Sequence, residues 1–454
     1  MHLRRCITVL TTAAAALAVA GPAEAAWEPE QQVNPDDPAV TEVGAALVGA
    51  ADDGTAVAVW LEWRGADARV VSARRPVDGD WGPSQLVDDV TEKADVVGGR
   101  VGLDSLVVLP NGNAVVGYHE YDVDSGVDFV GRLVTLHPDG SVSQELSGGE
   151  AEWQLVADVE GDWLATTREH DHCACENDTF YSDGGAAPER LGTYLGFGLR
   201  FALSGREVVY YAVDDPDGLY QRGHTLRVQR VDAATGQERT VTLLRPHGRV
   251  IGIDLSASRS NDVDLAWSVR HPGRHRPDVV LATHKPADRT WEEPHAVFTS
   301  GNGNNRPVGA PQVGTDGVGK ALVVWSTPPD GAGRVDLDAA GKQRYAPWGS
   351  TRRLMTDVLP DAPQLAFGLR IADSGRAAVV LRHLAACSTD PGATCDTVSA
   401  TVKKRIRNLG EPEAVTASPA PFDWVTMTLA EYRPAIVLTI EGGSTRIITR
   451  TRPT

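Results

Sequence analysis

The stretches Gly54-Thr-Ala-Val-Ala-Val-Trp60 and Gly319-Lys-Ala-Leu-Val-Val-Trp325 share one pattern: a turn residue precedes an apolar run that ends, six positions later, in a large side chain. Such a run between a turn residue and an aromatic residue favours a buried β-strand. The pattern recurs at Gly112–Tyr118, Asn261–Trp267 and Gly375–Leu381, and more weakly at Gly161–Thr167, Gly205–Tyr211 and Tyr432–Leu438. The closing residues lie 54 positions apart on average, and this period predicts a row of related supersecondary units.

A second repeat consists of a tryptophan followed six positions later by an apolar residue. It occurs at Trp27–Val33, Trp81–Val87, Trp291–Val297 and Trp348–Leu354, and Leu409–Val415 keeps the spacing with Leu in place of Trp. In four units this run follows the first pattern by 21 to 28 residues, which leaves room for one more strand between them. About four strands per unit is typical of a β-propeller blade, so we expect each Trp-led run to form an outer strand.

The composition favours an all-β fold in one domain. The 454 residues include 46 Gly and 28 Pro, as expected for many strands joined by tight turns, and no long stretch has apolar residues at helical spacing. Residues 1–25 are predicted to be a cleaved secretory signal, because Arg4 and Arg5 precede an apolar run and Ala23-Glu-Ala25 fits a cleavage site. We therefore expect a single propeller domain at 26–454, secreted to the extracellular space.

The two ends of the chain predict how the units close. Only 16 residues follow Leu438, enough for one strand at Thr445–Thr451, whereas Trp27–Val33 is an outer strand with nothing before it. If the N-terminal strand completes the last unit, the ring closes through backbone hydrogen bonds. We expect eight blades rather than seven, although the third unit, at 150–192, matches the pattern poorly.

The Gly54–Trp60 strand, followed by Asp78-Gly-Asp-Trp-Gly-Pro83, resembles the degenerate sialidase-like repeats of exported actinobacterial β-propeller proteins. The resemblance extends over nearly all of 26–454 and implies a fold. Sialidases carry turns of the form Ser-x-Asp-x-Gly-x-Thr-Trp and an arginine-bearing Phe/Tyr-Arg-Ile-Pro motif. Here Asp78 and Trp81 stand in a different register and the arginine motif is absent, which puts sialidase activity in doubt.

Carboxylates recur at one position of three successive units. Glu62, Glu120 and Glu169 each lie two residues beyond the closing residue of the first pattern. Each is followed by an aromatic or imidazole side chain that we consider a candidate ligand contact, namely Trp63, Tyr121 and His170. Paired carboxylates beside aromatic residues could catalyse glycoside hydrolysis on one rim of the propeller, and the alternative is a solvated strand end that repeats because the units are related.

Four cysteines remain after the predicted signal, and an even number in a secreted chain favours two disulfides. Cys387 and Cys395 bracket a turn-rich loop that one bridge would close, and Cys173 with Cys175 would then form a strained ring. Zinc binding at the run from His170 to Glu176 is the alternative to a bridge there. Calcium is a weaker possibility at Asp122, Asp124 and Asp128, which alternate around a glycine but form a shorter loop than those that usually hold this ion.

The net charge of −18 disfavours nucleic acid as a partner, and no segment after residue 25 is apolar enough to span a membrane. Two classes of function remain. The first is a secreted, non-catalytic binding or scaffold propeller, expected to be monomeric, whose rim loops contact a glycan, a peptide or a surface partner. The second is a glycoside hydrolase or sialidase-like hydrolase with paired carboxylates on that rim. No cofactor is expected under either interpretation.

Overall fold

The computed structural model consists almost entirely of β-strands. Its described part contains strands β1 to β32 and one short 3-10 helix at Ile406–Asn408, so the predicted all-β class is confirmed. The structure describes residues 26–453 except 66, 91–100, 123–126, 148–150, 159, 170–175, 184–185, 196, 205–206, 215–224, 233–236, 245–248, 272–276, 301–307, 361–364, 388–391 and 431–434.

The strands form eight antiparallel sheets of four strands each, which confirms the predicted number of strands per unit. Sheets 1 to 4 follow chain order. Sheet 1 contains β2 (Glu42–Ala50), β3 (Ala56–Arg64), β4 (Asp67–Arg75) and β5 (Gln85–Asp89), and sheet 2 contains β6 (Gly102–Val108), β7 (Ala114–Asp122), β8 (Val127–Leu136) and β9 (Val142–Ser147). Sheet 3 contains β10 (Ala151–Ala157), β11 (Trp163–Glu169), β12 (Glu176–Ser182) and β13 (Glu189–Leu195), and sheet 4 contains β14 (Phe197–Ser204), β15 (Glu207–Asp214), β16 (Thr225–Asp232) and β17 (Gln237–Leu244).

Sheets 5 to 7 repeat the same order. Sheet 5 contains β18 (Arg249–Ala257), β19 (Val263–Arg270), β20 (Val279–Lys285) and β21 (His295–Thr299), and sheet 6 contains β22 (Gln312–Thr315), β23 (Ala321–Ser326), β24 (Val335–Lys342) and β25 (Arg352–Val358). Sheet 7 contains β26 (Phe367–Ile371), β27 (Ala377–Ala386), β28 (Thr394–Lys403) and β29 (Glu413–Ser418). Sheet 8 combines the two ends of the chain and contains β30 (Phe422–Leu429), β31 (Ala435–Glu441), β32 (Ile447–Arg452) and β1 (Gln31–Gln32).

Strand β1 is short, but other contacts support its place in sheet 8. Gln31 pairs with Thr449 and Gln32 with Ile448 in antiparallel register. Asn34 extends the contact, because its side chain donates to the Thr445 carbonyl at 2.7 Å and accepts from the Ile447 amide at 2.8 Å. The first and last parts of the chain are therefore hydrogen-bonded to each other.

Backbone geometry explains why the repeated pattern begins with Gly or Asn. In the connection 316–320, the Gly319 amide donates to the Asp316 carbonyl at 2.9 Å, and Gly319 has a φ of 79°. The same geometry recurs at Gly54, Gly112 and Gly375 with φ between 82° and 94°. Glycine adopts this left-handed conformation without a steric penalty, and Asn261, with a φ of 64°, is the residue type that tolerates it next best.

The large residues that close the five clearest copies of the pattern lie in the core between sheets. Trp60, Trp267 and Trp325 are fully buried, and Tyr118 and Leu381 are nearly so. In the described part of the chain, the buried apolar residues form eight clusters, of which seven are shared by two sheets that are successive along the chain and one is shared by sheets 8 and 1. Face-to-face packing of four-stranded meanders in chain order is the architecture of a β-propeller.

The Trp-led runs differ from the expected strands. Strand β5 begins at Gln85, four residues after Trp81, and β1 likewise begins after Trp27. The Trp81 indole instead lies against the neighbouring sheet, where its Nε1 donates to the Thr449 hydroxyl at 2.9 Å. A tryptophan in the connection before the outer strand thus contributes to contact between sheets, which is why it recurs without belonging to a strand.

Side chains of one first strand also cap amides of the next. The Asp104 carboxylate accepts from the Trp153 amide at 3.0 Å, and the Ser256 hydroxyl accepts from the Thr315 amide at 3.0 Å. Such bonds satisfy amides at the open edge of an inner strand, which would otherwise lack partners.

Candidate functional site

A cavity of about 490 Å³ is lined by residues from all eight first strands or the turns that directly follow them. The lining residues come from the C-terminal ends of β2, β6, β10, β14, β18, β22, β26 and β30. The connections from first to second strands and from third to fourth strands lie at this end of the sheets, which we call the turn rim. The opposite end, with the connections from second to third strands and between sheets, is the loop rim.

The repeated turn places charged side chains at the mouth of the cavity. Asp52, Arg259 and Asp373 each occupy the second position of a five-residue connection between a first and a second strand, and all three line the cavity. Each stands two residues before the left-handed Gly or Asn of its turn. A position that is equivalent in related turns therefore brings two carboxylates and a guanidinium from sheets 1, 5 and 7 to one cavity.

Arg259 links several sheets across the cavity mouth. Its guanidinium forms an ion pair with Glu160 of sheet 3 at 3.3 Å, and the two side chains are 61% and 54% exposed. Burial raises the pKa of both Asp52 and Asp373, and the positive charge of Arg259 offsets part of this rise. An exposed ion pair of this kind contributes little to stability, about 0 to 1 kcal/mol, so a ligand could displace it readily.

Two of the carboxylates have perturbed acidity. Burial raises the pKa of Asp52, with a further increase from the charge of Asp53. Burial also raises the pKa of Asp373, and the charge of Asp52 raises it further. Coupled carboxylates with raised pKa values can accept hydrogen bonds from a ligand, and one of them can hold a proton while the other is ionised.

Two further charged residues, Asp254 and Arg370, lie on the first strands β18 and β26. Burial raises the pKa of Asp254 to about 6, although its carboxylate accepts from the Val313 amide at 2.8 Å and lies in the field of Arg200 and Arg370. Arg370 lines the cavity and its surface is exposed there, yet the protein around its guanidinium displaces enough water to lower the pKa of that group. The cavity wall therefore carries both signs of charge, with acidic groups in excess at the mouth.

The predicted carboxylates Glu62 and Glu120 are buried in ion pairs near the loop rim. Glu62 is 4% exposed and accepts from Arg64 Nε at 3.1 Å and from the Trp60 indole at 3.3 Å. Glu120 is 1% exposed and accepts from Arg132 Nε at 2.5 Å across the sheet. Neither lines the cavity, and these contacts give both residues a structural role. Their catalytic role stays a prediction.

The other residues of that predicted rim site are only partly described. Trp63 is partly buried, and its ring packs over the backbone of β2 so closely that a Cβ at Gly44 would lie 2.7 Å from it. Glu169 and Tyr121 end or nearly end strands β11 and β7, and their side chains lie outside the described part of the structure. His170 lies outside the described residues altogether.

One of the two predicted disulfides is present. Cys387 and Cys395 are bonded and close the connection between β27 and β28. Cys173 and Cys175 lie outside the described residues, as does Asp124, and the side chains of Asp122 and Asp128 are not described. Within the described part of the chain, no group of three or more His, Cys, Asp or Glu side chains is arranged to hold a metal ion.

Sequence reasoning missed Asp52, Asp373 and Arg259 because they lie before the strand pattern rather than after it. The available signal was their common position two residues ahead of the turn Gly or Asn.

No protein-family model matches this chain, and no curated protein matches it. Among solved structures, it is similar to the β-propeller domain of the trilobed protease from Pyrococcus furiosus, with a TM-score of 0.47 and 9% identity over 83% of this chain and 96% of that one. An ulvan lyase from a new polysaccharide lyase family gives a TM-score of 0.46 and 9% identity, covering 95% of this chain and 94% of the other.

An α-L-arabinofuranosidase from Fusarium graminearum gives a TM-score of 0.39 and 11% identity over 65% of this chain and 90% of that one. Similarity this distant carries neither activity nor substrate over to the present chain. In the part of the chain that the structure describes, no helix is long and apolar enough to cross a membrane.

Proposed function

We propose that this chain is a secreted, non-catalytic binding protein, a closed propeller of eight blades that holds a polar ligand in its central cavity. The observation that carries the proposal is the convergence of Asp52, Asp373 and Arg259 on a cavity to which all eight first strands contribute. The apolar cluster shared by sheets 8 and 1 and the pairing of β1 with β32 support the closed ring. The bonded Cys387–Cys395 pair is compatible with secretion.

The cavity chemistry favours a small polar group, such as the end of a glycan or of a peptide. Carboxylates accept hydrogen bonds from hydroxyl and ammonium groups, while the Arg259 guanidinium donates to carbonyl and carboxylate oxygens. A concave site with fixed charges of both signs orients such a ligand through a small number of polar contacts. The likeness to sialidase-like repeats adds only a fold to this proposal.

Binding is tested with glycan and peptide arrays, followed by calorimetry on any ligand found. In the double variant Asp52→Asn/Asp373→Asn, we expect the affinity to fall at least about tenfold, because each lost charge-assisted hydrogen bond contributes roughly 1.5 to 3 kcal/mol. The control Asp67→Asn/Asp423→Asn makes the same change in charge at two exposed aspartates outside the cavity. Equal affinities of both double variants would refute a cavity ligand.

A hydrolase is the second candidate, favoured by the raised pKa values of Asp52 and Asp373. One protonated and one ionised carboxylate could act as acid and base on a glycosidic bond. A panel of glycosidase substrates tests this candidate. Turnover that is lost in Asp52→Asn supports hydrolysis in the cavity, and turnover lost in Glu120→Gln but kept in Asp52→Asn would support the loop-rim carboxylates instead.

A further inference from the structure

An exposed tyrosine on the turn rim lies between arginines of two different sheets. Tyr345, in the connection from β24 to β25, is 55% exposed. The Arg344 Cζ atom lies 5.0 Å from the centre of its ring, and so does the Cζ of Arg289, which belongs to the connection from β20 to β21. We call Lys285, Arg289, Arg344 and Tyr345 the Tyr345 patch. None of its residues lines the cavity.

A buried carboxylate fixes this patch in place. Asp262 is fully buried, and its oxygens lie 3.0 and 2.9 Å from Arg344 Nε. Asp262 also accepts from the Ala287 amide at 3.0 Å, which anchors the connection that carries Arg289. One carboxylate therefore ties the turn of sheet 5 to both connections of the patch, so the Arg344 side chain and the backbone that carries Arg289 need little further ordering when a partner binds.

The patch is locally basic on a strongly acidic chain. The net charge of the chain is −18, yet Arg289 and Arg344 meet over a single ring here. Burial lowers the pKa of the nearby Lys285 ammonium, and the charge of Arg230 lowers it further. Among the described residues Arg289 makes no salt bridge, whereas Arg344 is held by Asp262. Three cationic side chains therefore lie near one buried and one exposed aspartate, Asp262 and Asp288, and Arg289 is the exposed cation without a salt bridge among the described residues.

We propose that the Tyr345 patch docks an acidic peptide segment of a partner protein. Tyr and Arg are enriched where protein interfaces derive most of their binding energy, and guanidinium groups pair with carboxylates in a bidentate manner. A sugar ring would need a free aromatic face, and here both guanidinium groups already lie over the Tyr345 ring. Tyr345 and Arg289 are exposed and Arg344 is partly exposed, so their polar groups suit carboxylates spaced along an extended chain.

The test measures fluorescence anisotropy of a labelled peptide of alternating Glu and Ala, at low and at physiological salt. Arg289→Glu and Tyr345→Ala should each weaken binding at least about tenfold, a loss of about 1.4 kcal/mol. The control Lys404→Glu makes the same change in charge as Arg289→Glu, at an exposed position in the connection from β28 to β29 on the same rim. This control should change the affinity less than about twofold, because Lys404 belongs to sheet 7 whereas the patch belongs to sheets 5 and 6, and salt screens exposed charges that lie apart.

Three outcomes would overturn the proposal. The first is absence of peptide binding at low salt, and the second is an equal loss in Arg289→Glu and Lys404→Glu, which would mean that net charge alone governs attraction. The third is binding of polygalacturonate, but not of the peptide, that is lost in Arg289→Glu, which would make the ligand a glycan. Thermal melts of all variants establish that each is folded, which is expected because Arg289 and Tyr345 are exposed.

Discussion

The two rims of the molecule differ in how uniform the lengths of their connections are. On the turn rim, seven of the eight connections from first to second strand have five residues, and four of the seven from third to fourth strand have nine. On the loop rim, the connections between successive sheets range from one residue, at 196, to twelve, at 90–101 and 300–311. A uniform turn places equivalent positions at equivalent points around the axis, whereas variable loops do not.

The difference explains where charged residues meet. On the turn rim, Asp52, Arg259 and Asp373 come from sheets far apart in the chain yet converge, because each holds the same position in the same turn. Near the loop rim, Glu62 and Glu120 also hold equivalent positions, but each is bound by an arginine within its own sheet. Residues at equivalent sequence positions therefore form a shared site on the turn rim, where they line a common cavity. Near the loop rim they do not, because each is paired within its own sheet.

The largest effect is expected from a matched pair of glycines, one on each rim. Gly319 and Gly333 have φ values of 79° and 81°, so alanine introduces similar backbone strain at both, about 1 to 2 kcal/mol. A Cβ at Gly319 would also lie 2.3 Å from the buried Asp262 Oδ2, whereas nothing lies within 4 Å of a Cβ at Gly333. Urea denaturation should show a loss of about 3 kcal/mol or more in Gly319→Ala and about 1 kcal/mol in Gly333→Ala. Equal losses of stability in the two variants would show that the turn rim is no more tightly packed than the loop rim.

Removal of the disulfide tests how much the loop rim depends on a covalent bond. The Cys387–Cys395 bridge spans eight positions, and closing a loop of that size removes about 2.5 kcal/mol of chain entropy from the unfolded state. Cys387→Ser/Cys395→Ser should lower the free energy of unfolding by about that amount. The same loss should follow from a reducing agent added to the wild type and be absent when that agent is added to the double variant. No change in either experiment would contradict the prediction.

Asp158, in the turn of sheet 3, provides a pH test of the turn rim. Burial and the neighbouring Asp162 raise its pKa to about 6, against 3.8 for a free side chain. The folded state therefore holds the proton more tightly, and the free energy of unfolding should fall as the pH rises from 3.8 through about 6. Asp158→Asn keeps an oxygen that can accept the amides of Glu160, Gly161 and Asp162 but cannot ionise.

Above pH 7 that variant should be more stable than the wild type by about 1 to 2 kcal/mol, since a shift of one pKa unit corresponds to about 1.4 kcal/mol and solvent screening reduces the full value. The gain should vanish near pH 4. Denaturation curves at both pH values measure it, and a difference that does not depend on pH would contradict the assigned acidity.

The smallest effect is expected at the cavity mouth. Arg259 and Glu160 are exposed, so Arg259→Ala should change the free energy of unfolding by less than about 0.5 kcal/mol. It should also raise the pKa values of Asp52 and Asp373, whose ionised forms Arg259 favours, and NMR titration of the carboxyl groups measures this shift. A large loss of stability would mean that Arg259 is part of the framework rather than of a binding site.

Much of the fold could be predicted because its signals are local. Turn residues such as Gly54 and Gly319 are required by a left-handed φ, and large residues such as Trp60 and Trp325 fill the space between sheets, so both leave a visible period. The candidate site has a weaker signal in the sequence. Asp52 and Asp373 share a position two residues ahead of a turn glycine, but only the arrangement of the sheets reveals that this position faces a common cavity.

The short strand β1 has a consequence for the order of assembly. Gln31 and Gln32 pair with residues more than 400 positions later, so sheet 8 cannot be completed until nearly all of the described chain is available. Until then β1 has no partner strand, and the apolar face that sheet 1 shares with sheet 8 is exposed to water. An incomplete chain therefore exposes an apolar face until its last strands are available, and removal of Gln31 and Gln32 from the folded protein would leave β32 as an unpaired edge.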